Sequence, residues 1–141
     1  MLRKTISTDN SRTTILIRLI VGIVFLSEGI QKFIFPALGT IRFENIGFPY
    51  PAFIAGFVGS FEILCGTMIL LGFLTRLASI PLIIIMIVAI STTKISILLN
   101  NGFWKMMHES RTDFSMLAGS IFLLINGAGN WSFDRRLSLK A

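Results

Sequence analysis

Four ionisable side chains interrupt the apolar segments of this 141-residue sequence: Arg18, Glu28 and Lys32 in the first segment, and Glu62 in the second. A charge at the centre of a bilayer costs at least ~2.5 to 3.5 kcal/mol, so such residues normally pair or face a cavity inside a helix bundle. A buried carboxylate near a cation can exchange a proton, or hold the polar head of a quinone or another small ligand. These four residues are the primary candidates for ligand binding or proton relay.

Helical spacing places the charges of the first segment on or beside one face. Residues at intervals of three and four share a helix face, and this interval relates Arg18, Gly22, Phe25, Gly29 and Lys32. Glu28 precedes Lys32 by one turn, the favourable order for an ion pair. The pattern indicates a site that lines a cavity, or a local ion pair that lets Lys32 extend to the outer interface.

Glu62 lies on a face of the second segment that is rich in small residues, which allow close helix approach: Gly56, Gly59, Ser60 and Gly66. It should therefore point at a neighbouring helix, where Arg18 or Lys32 would neutralise it. We predict that the four charges form one buried cluster between the first two helices. The cluster either holds a ligand or is a structural salt bridge that fixes helix packing.

The elements that must position these residues are membrane helices. The composition is 53% hydrophobic and 14% charged with a mean hydropathy of +0.78, which is typical of an integral membrane protein. About 20 apolar residues cross a bilayer, and the sequence predicts an all-α transmembrane four-helix bundle with spans at 15–35, 52–74, 77–97 and about 104–125. The apolar part of the last span is short, so an interfacial helix followed by a half-span is the alternative.

The positive charges predict the orientation, because Lys and Arg concentrate in cytoplasmic loops. Seven lie in one set of loops and tails (Arg3, Lys4, Arg12, Arg76, Arg135, Arg136 and Lys140), against three in the other (Arg42, Lys105 and Arg111). We expect a cytoplasmic tail at 1–14, a transmembrane domain at 15–134 and a cytoplasmic tail at 135–141, in the bacterial inner membrane. The net charge of +6 fits these flanks, and no basic stripe with interleaved aromatics indicates nucleic-acid binding.

Secondary candidates are Arg76, at the cytoplasmic end of the second helix, and a polar cluster with His108 and Asp113, which is an interfacial cap or a catalytic group. A single cysteine, Cys65, and a single histidine exclude a self-contained thiolate cluster and make a zinc or haem site improbable. We therefore predict no metal site and no intrinsic cofactor. A redox centre would have to come from a partner or a diffusible molecule.

Three strings, RLIVGIVFLSEGIQKF, FEILCGTMILLGFLTR and NGAGNWSFD, together resemble the DoxX family of small four-helix bacterial membrane proteins. The family pattern falls on Arg18, Leu19, Gly22, Gly29, Lys32, Phe33, Glu62, Gly66, Leu71, Gly72, Arg76, Gly127, Gly129, Ser132 and Asp134. Members often carry a Gly-Gly-Tyr-Glu-like stretch at the start of the fourth helix. This chain has RTDF there, so Asp113 stands in for the acid and the glycines are absent.

The resemblance implies quinone-linked redox work, since the family includes a subunit of a thiosulfate:quinone oxidoreductase and members associated with membrane redox and oxidative-stress systems. We expect a membrane subunit, or a component that binds a quinone-like molecule, next to a soluble or membrane redox partner. In this hypothesis Glu62 and Lys32 hold the ligand or relay its protons, and Arg18 and Glu28 tune them. A small solute carrier or channel, and a structural partner without a ligand, are the alternatives. Whether the chain is itself an enzyme, and whether it forms a homo-oligomer, stay open.

Overall fold

The computed structural model describes residues 6–139, and within that range every regular element is helical and none is a strand. In chain order the helices are α1 Thr14–Ile34, α2 Thr40–Ile46, α3 Pro51–Leu71, α4 Thr75–Ala89, α5 Ile95–Asn101, α6 Phe103–Asn126 and α7 Phe133–Ser138. A π-helical segment, Ile90–Lys94, joins α4 to α5 without a break. The predicted all-α fold is confirmed.

Within residues 6–139, three helices are long and apolar enough to cross a membrane. They are Thr14–Ile34, Pro51–Leu71 and the continuous Thr75–Asn101, and they correspond to the first three predicted spans. The first two have 21 residues each and are about 31 Å long, whereas the third has 27 residues and is about 40 Å long. Helix α6 is one uninterrupted helix of 24 residues. Its polar first half keeps it outside this group, so the fourth span stays a prediction.

The closest helix packing joins α1 to α3, which run antiparallel. Two pairs of glycines allow the contact: a methyl group on Gly29 would lie 2.7 Å from the carbonyl oxygen of Gly59, and one on Gly66 would lie 3.1 Å from that of Gly22. Small residues let helix backbones approach in this way in membranes. The prediction that the small-residue face of the second helix meets a neighbouring helix is confirmed.

Helix α4 packs on α3 and on α6, and α6 also contacts α1, so the four long elements enclose one core. The α3–α4 turn is tight, with Gly72 and Leu74 both in the left-handed region at φ 67° and 46°. The largest fully buried apolar side chains of the core are Val21, Phe25, Ile69, Leu82 and Leu123. Helix α2 crosses one end of this bundle, against α3.

Candidate ligand-binding cavity

Lys32 and Glu62 form a buried ion pair between α1 and α3. The ammonium nitrogen of Lys32 lies 2.7 Å from Oε2 of Glu62, and the two side chains are only 8% and 5% exposed. The Glu28 carboxylate is 3.8 Å from the same nitrogen and is 46% exposed. Removing one partner of such a pair would leave an uncompensated buried charge, which is strongly unfavourable. Of the two predicted cations for Glu62, the structure selects Lys32.

The close approach of α1 and α3 explains why this pair can form. Gly29 and Gly59 bring the two backbones together one turn from the charged residues. A methyl group on Gly59 would lie 3.5 Å from Cβ of Lys32, so the lysine begins its path directly against the α3 backbone. The glycines therefore fix the distance between the helices at which an ammonium and a carboxylate meet.

The ion pair lies on the wall of a cavity of about 520 Å³. Ligand pockets in proteins have volumes of roughly 300–1,000 Å³, with mainly apolar walls and a few placed polar groups. Most of the lining here is aliphatic or aromatic. The polar lining residues are Glu28, Lys32, Arg42, Glu62, Thr92, Thr93, Thr112 and Asp113. The cavity therefore joins three of the four primary candidates, Glu28, Lys32 and Glu62, and one secondary candidate, Asp113.

Arg18 is buried at the opposite end of the bundle, so the prediction of one cluster of four charges is wrong for this residue. Ten residues of helix place it about 15 Å from Glu28 along the axis. The residue is 3% exposed, and its guanidinium donates hydrogen bonds at 2.6–3.0 Å to the carbonyl oxygens of Ile69, Leu70, Ala128 and Trp131. Helical spacing indicated a shared face correctly, but a face runs the whole length of a helix.

The residues around Arg18 form a backbone lock, which we call the Arg18 end: the start of α1, the 72–74 turn and the loop before α7. Asp134 accepts hydrogen bonds from the backbone amides of Leu74 and Thr75 at 2.7 and 2.9 Å, and so caps the start of α4. Arg76 lies at this end too, where its Nε donates to the carbonyl oxygen of Ser7 at 2.9 Å. Arg76 is therefore not part of the cavity.

The two secondary candidates on α6, His108 and Asp113, differ in their position relative to the cavity. Asp113 lines the cavity and forms an ion pair with Lys94 at 3.0 Å, and Lys94 also donates to the carbonyl oxygen of Glu109 at 2.9 Å. His108 is exposed and does not line the cavity. Lys94 was missing from the predicted site, because its partner on α6 is 19 positions away in the sequence.

The π-helical segment and Arg42 were also missing from the predicted site. Thr92 and Thr93 line the cavity from the π-helical segment, and single π turns inside α-helices occur frequently at functional sites. Arg42 lines it from α2, although the sequence suggested only its contribution to orientation. Arg42 is the single cation of the 39–50 segment, where it stands among Phe43, Phe48 and Tyr50. This placement is the sequence signal that could have indicated Arg42 as a site residue. Cys65, by contrast, is buried in the core and does not line the cavity.

Comparisons with known proteins show which family and which relatives this chain is similar to. The family model described as DoxX matches residues 13–95. The chain is 55% identical over 136 residues to the uncharacterised membrane protein Rv3486 of Mycobacterium tuberculosis, with 92% of this chain and 83% of that protein covered. It is 31% identical over 122 residues to "Putative oxidoreductase CatD" of Bacillus subtilis, with 86% and 84% covered. No solved structure matches.

Proposed function

Because the chain belongs to the DoxX family of membrane proteins, we propose that it is the membrane component of a bacterial redox system and binds a quinone-like molecule. One observation carries the proposal: a buried lysine–glutamate pair lies on the wall of a largely apolar cavity within the helix bundle. A structural salt bridge needs no cavity beside it. A membrane-soluble ring with a polar head needs both features.

The volume and the lining of the cavity suit such a ligand. Phe43, Phe48 and Phe57 are among its walls, and aromatic side chains pack well on planar rings. The Lys32–Glu62 pair would hydrogen-bond the polar head of the ring or relay its protons. Three lining residues on α3 and α4, Phe57, Ile84 and Val88, are also exposed on the outer surface of the bundle. They mark the side from which a lipid-soluble molecule would enter.

Reduction of a quinone takes up two electrons and two protons. Within the cavity, Glu62 and Lys32 would pass the protons, and Glu28, which is nearly half exposed, would connect them to water. The electrons would come from a redox centre in a soluble or membrane partner. The Bacillus subtilis relative is named "Putative oxidoreductase CatD", which agrees with work in a redox system.

The proposal includes a fourth span and an orientation. Helix α6 would complete the bundle, since it packs along α4 and buries Met116, Ser120 and Leu123. Both termini would then lie on the cytoplasmic side of the inner membrane, as the distribution of Lys and Arg indicates. The cavity, with α2 across it, would lie towards the outer face.

Binding to the purified protein in nanodiscs tests the function. The probe is 2-methyl-1,4-naphthoquinone, and its affinity is compared among the wild type, Glu62→Gln and Lys32→Met. We expect measurable binding by the wild type and a loss of about tenfold or more in each variant, since a well-placed hydrogen bond to a charged group contributes about 1.5–3 kcal/mol. Glu44→Gln and Lys105→Met are the matched controls, because both side chains are exposed and outside the cavity.

No binding by the wild type, or equal binding by all five proteins, would contradict the proposal. Quinone-independent solute flux into proteoliposomes that is lost in Glu62→Gln would instead identify a carrier. A loss of stability in Lys32→Met and Glu62→Gln without any change in probe affinity would identify a structural salt bridge.

A further inference from the structure

Arg42 is a second polar contact point in the cavity. It comes from α2, whereas Lys32 and Glu62 come from α1 and α3. Its side chain is half-buried, and it forms no hydrogen bond or ion pair with any other residue in the range 6–139. A guanidinium carries five N–H donors in a planar fork. Arg42 therefore presents open donors to an occupant of the cavity.

Several of the other donors on the cavity wall are already engaged. The Lys32 ammonium lies 2.7 Å from the Glu62 carboxylate and 3.4 Å from the carbonyl oxygen of Glu28. The hydroxyls of Thr92 and Thr93 donate to backbone carbonyls of α4 at 2.8 and 2.6 Å. An acceptor atom of a ligand thus finds its most available donors at Arg42.

The charges around the cavity favour the same position. Lys32 lies within 4 Å of two carboxylates, those of Glu62 and Glu28, so an additional anion beside it would be repelled by both. Arg42 forms no ion pair within 4 Å among residues 6–139, and its charge acts on the Glu62 carboxylate only at longer range. An anionic oxygen beside Arg42 would form charge-assisted, bidentate hydrogen bonds. Phe43 and Phe48 line the cavity from the same segment as Arg42, which suits a planar ring.

We infer that the cavity takes a planar, membrane-soluble ligand with an anionic oxygen group, either an ionised ring hydroxyl or a carboxylate, and that Arg42 binds this group. The inference deepens the proposed function by naming the charge of the ligand, and it rests on that function only in taking this cavity as the ligand site. Arg42 selects the ligand class, while Lys32 and Glu62 remain the residues that handle protons.

Three small aromatic probes test the inference on the full-length protein in nanodiscs of zwitterionic lipid at neutral pH. The neutral probe is 2-methyl-1,4-naphthoquinone, and the anionic probes are 2-hydroxy-1,4-naphthoquinone and 2-naphthoate. We expect at least one anionic probe to bind about tenfold more tightly than the neutral one, a difference of about 1.4 kcal/mol. The tighter of the two anions identifies the ionised hydroxyl or the carboxylate as the preferred group.

Two variants and a control complete the experiment. Arg42→Gln should abolish the preference for the anion by weakening the anionic probe about tenfold more than the neutral one, and Arg42→Lys should keep part of the preference because the charge remains. Arg111→Gln removes an exposed arginine outside the cavity and should change nothing. Thermal unfolding of each variant confirms that it is folded.

Each result separates this inference from the proposed function. Binding of the neutral probe with no preference for either anion, or a preference that survives Arg42→Gln, would overturn the inference and leave the quinone function standing. Arg42-dependent binding of 2-naphthoate without any binding of either naphthoquinone would support the inference and contradict the quinone function. No binding of any probe would overturn both.

Discussion

Arg18 and Lys32 are two buried cations on the same helix, and they differ in what surrounds them. Arg18 is held by four backbone carbonyl oxygens from α3 and the loop before α7. Lys32 is held by two carboxylates and lies beside a cavity. A carbonyl oxygen does not titrate in water, whereas a carboxylate does. The Arg18 end of the bundle therefore has the features of a backbone lock, and the end that holds Lys32 has those of a ligand-binding site.

The comparison changes how the family pattern is interpreted. Many of its positions, among them Gly72, Ser132 and Asp134, belong to the Arg18 end and make backbone contacts. A methyl group on Gly72 would lie 2.5 Å from Cβ of Ser132 and 2.9 Å from Cζ of Arg18. These positions therefore specify the fold. Lys32 and Glu62 are the pattern positions that meet at the cavity, and chemistry is expected from them.

Replacement of Arg18 should have the largest effect on stability. Arg18→Met removes the guanidinium from four carbonyl oxygens, of which, among residues 6–139, only that of Ile69 keeps a hydrogen bond, from the Gly72 amide. A buried unsatisfied acceptor costs about 1–3 kcal/mol. We expect the folded protein to be lost, or its unfolding free energy to fall by about 5 kcal/mol or more, since several buried acceptors lose their donor at once. Thermal unfolding in detergent or nanodiscs measures this, with Arg12→Met, an exposed arginine near the same end, as the control. Equal stability of Arg18→Met and Arg12→Met would refute the conclusion that the hydrogen bonds of Arg18 stabilise this end of the bundle.

The Lys32–Glu62 pair should respond differently to single and double replacement. Lys32→Met leaves Glu62 buried without its nearest cation, which costs about 3–5 kcal/mol. The double variant Lys32→Met/Glu62→Leu removes both charges and should recover most of that loss, because paired burial contributes little net stability. Its binding of the naphthoquinone probe should stay lost. Recovery of stability and binding together would show that the pair has no part in the site.

A smaller effect is expected where α1 and α3 touch. In Gly29→Ala the new methyl group would lie 2.7 Å from the carbonyl oxygen of Gly59 and would separate the helices that hold the ion pair. Overpacking of this kind costs about 1–3 kcal/mol, and probe affinity should fall with stability. Gly56→Ala is the matched control, because its methyl group would have only Phe33 nearby, at 4.0 Å. If Gly56→Ala is as harmful as Gly29→Ala, close packing is not the cause.

The smallest expected effect belongs to Asp134→Asn, at the Arg18 end. Asp134 caps α4 through two backbone amides, and loss of a helix cap costs about 0.5–2 kcal/mol. An amide keeps one accepting oxygen, so we expect a loss of about 1 kcal/mol, seen in thermal unfolding, and an unchanged affinity for the probe. A loss of affinity that exceeds the loss of stability would show that the two ends are coupled.

The sequence predicted well what depends on periodicity and on small residues. It predicted the first three spans, the packing of the glycine face of α3 on a neighbouring helix, and Lys32 as one of two cations for Glu62. These features follow from helical spacing and from the cost of a buried charge. The orientation and the fourth span follow from weaker, statistical rules and stay predictions.

The rest depends on contacts that a helix pattern does not contain. Arg18 is satisfied by carbonyl oxygens, which every residue carries, so no side-chain pattern indicates them. The position of Arg42 is set by a short surface helix between two turns, and the cavity arises where the bundle helices leave space between them. The π-helical segment at Ile90–Lys94 carries three consecutive hydroxyl side chains, which bond to carbonyl oxygens one turn earlier. Such bonds also occur in ordinary α-helices, so they do not predict a π-helix.

The bonds of Arg18 also set an order for biogenesis. Two of its four acceptors, Ala128 and Trp131, lie 110 and 113 positions later in the chain. The first span must therefore leave the ribosome and enter the membrane with its guanidinium only partly satisfied. The contacts of Arg18 can therefore be completed only after nearly the whole chain has been synthesised, because a chain that stops before residue 128 lacks two of the four acceptors.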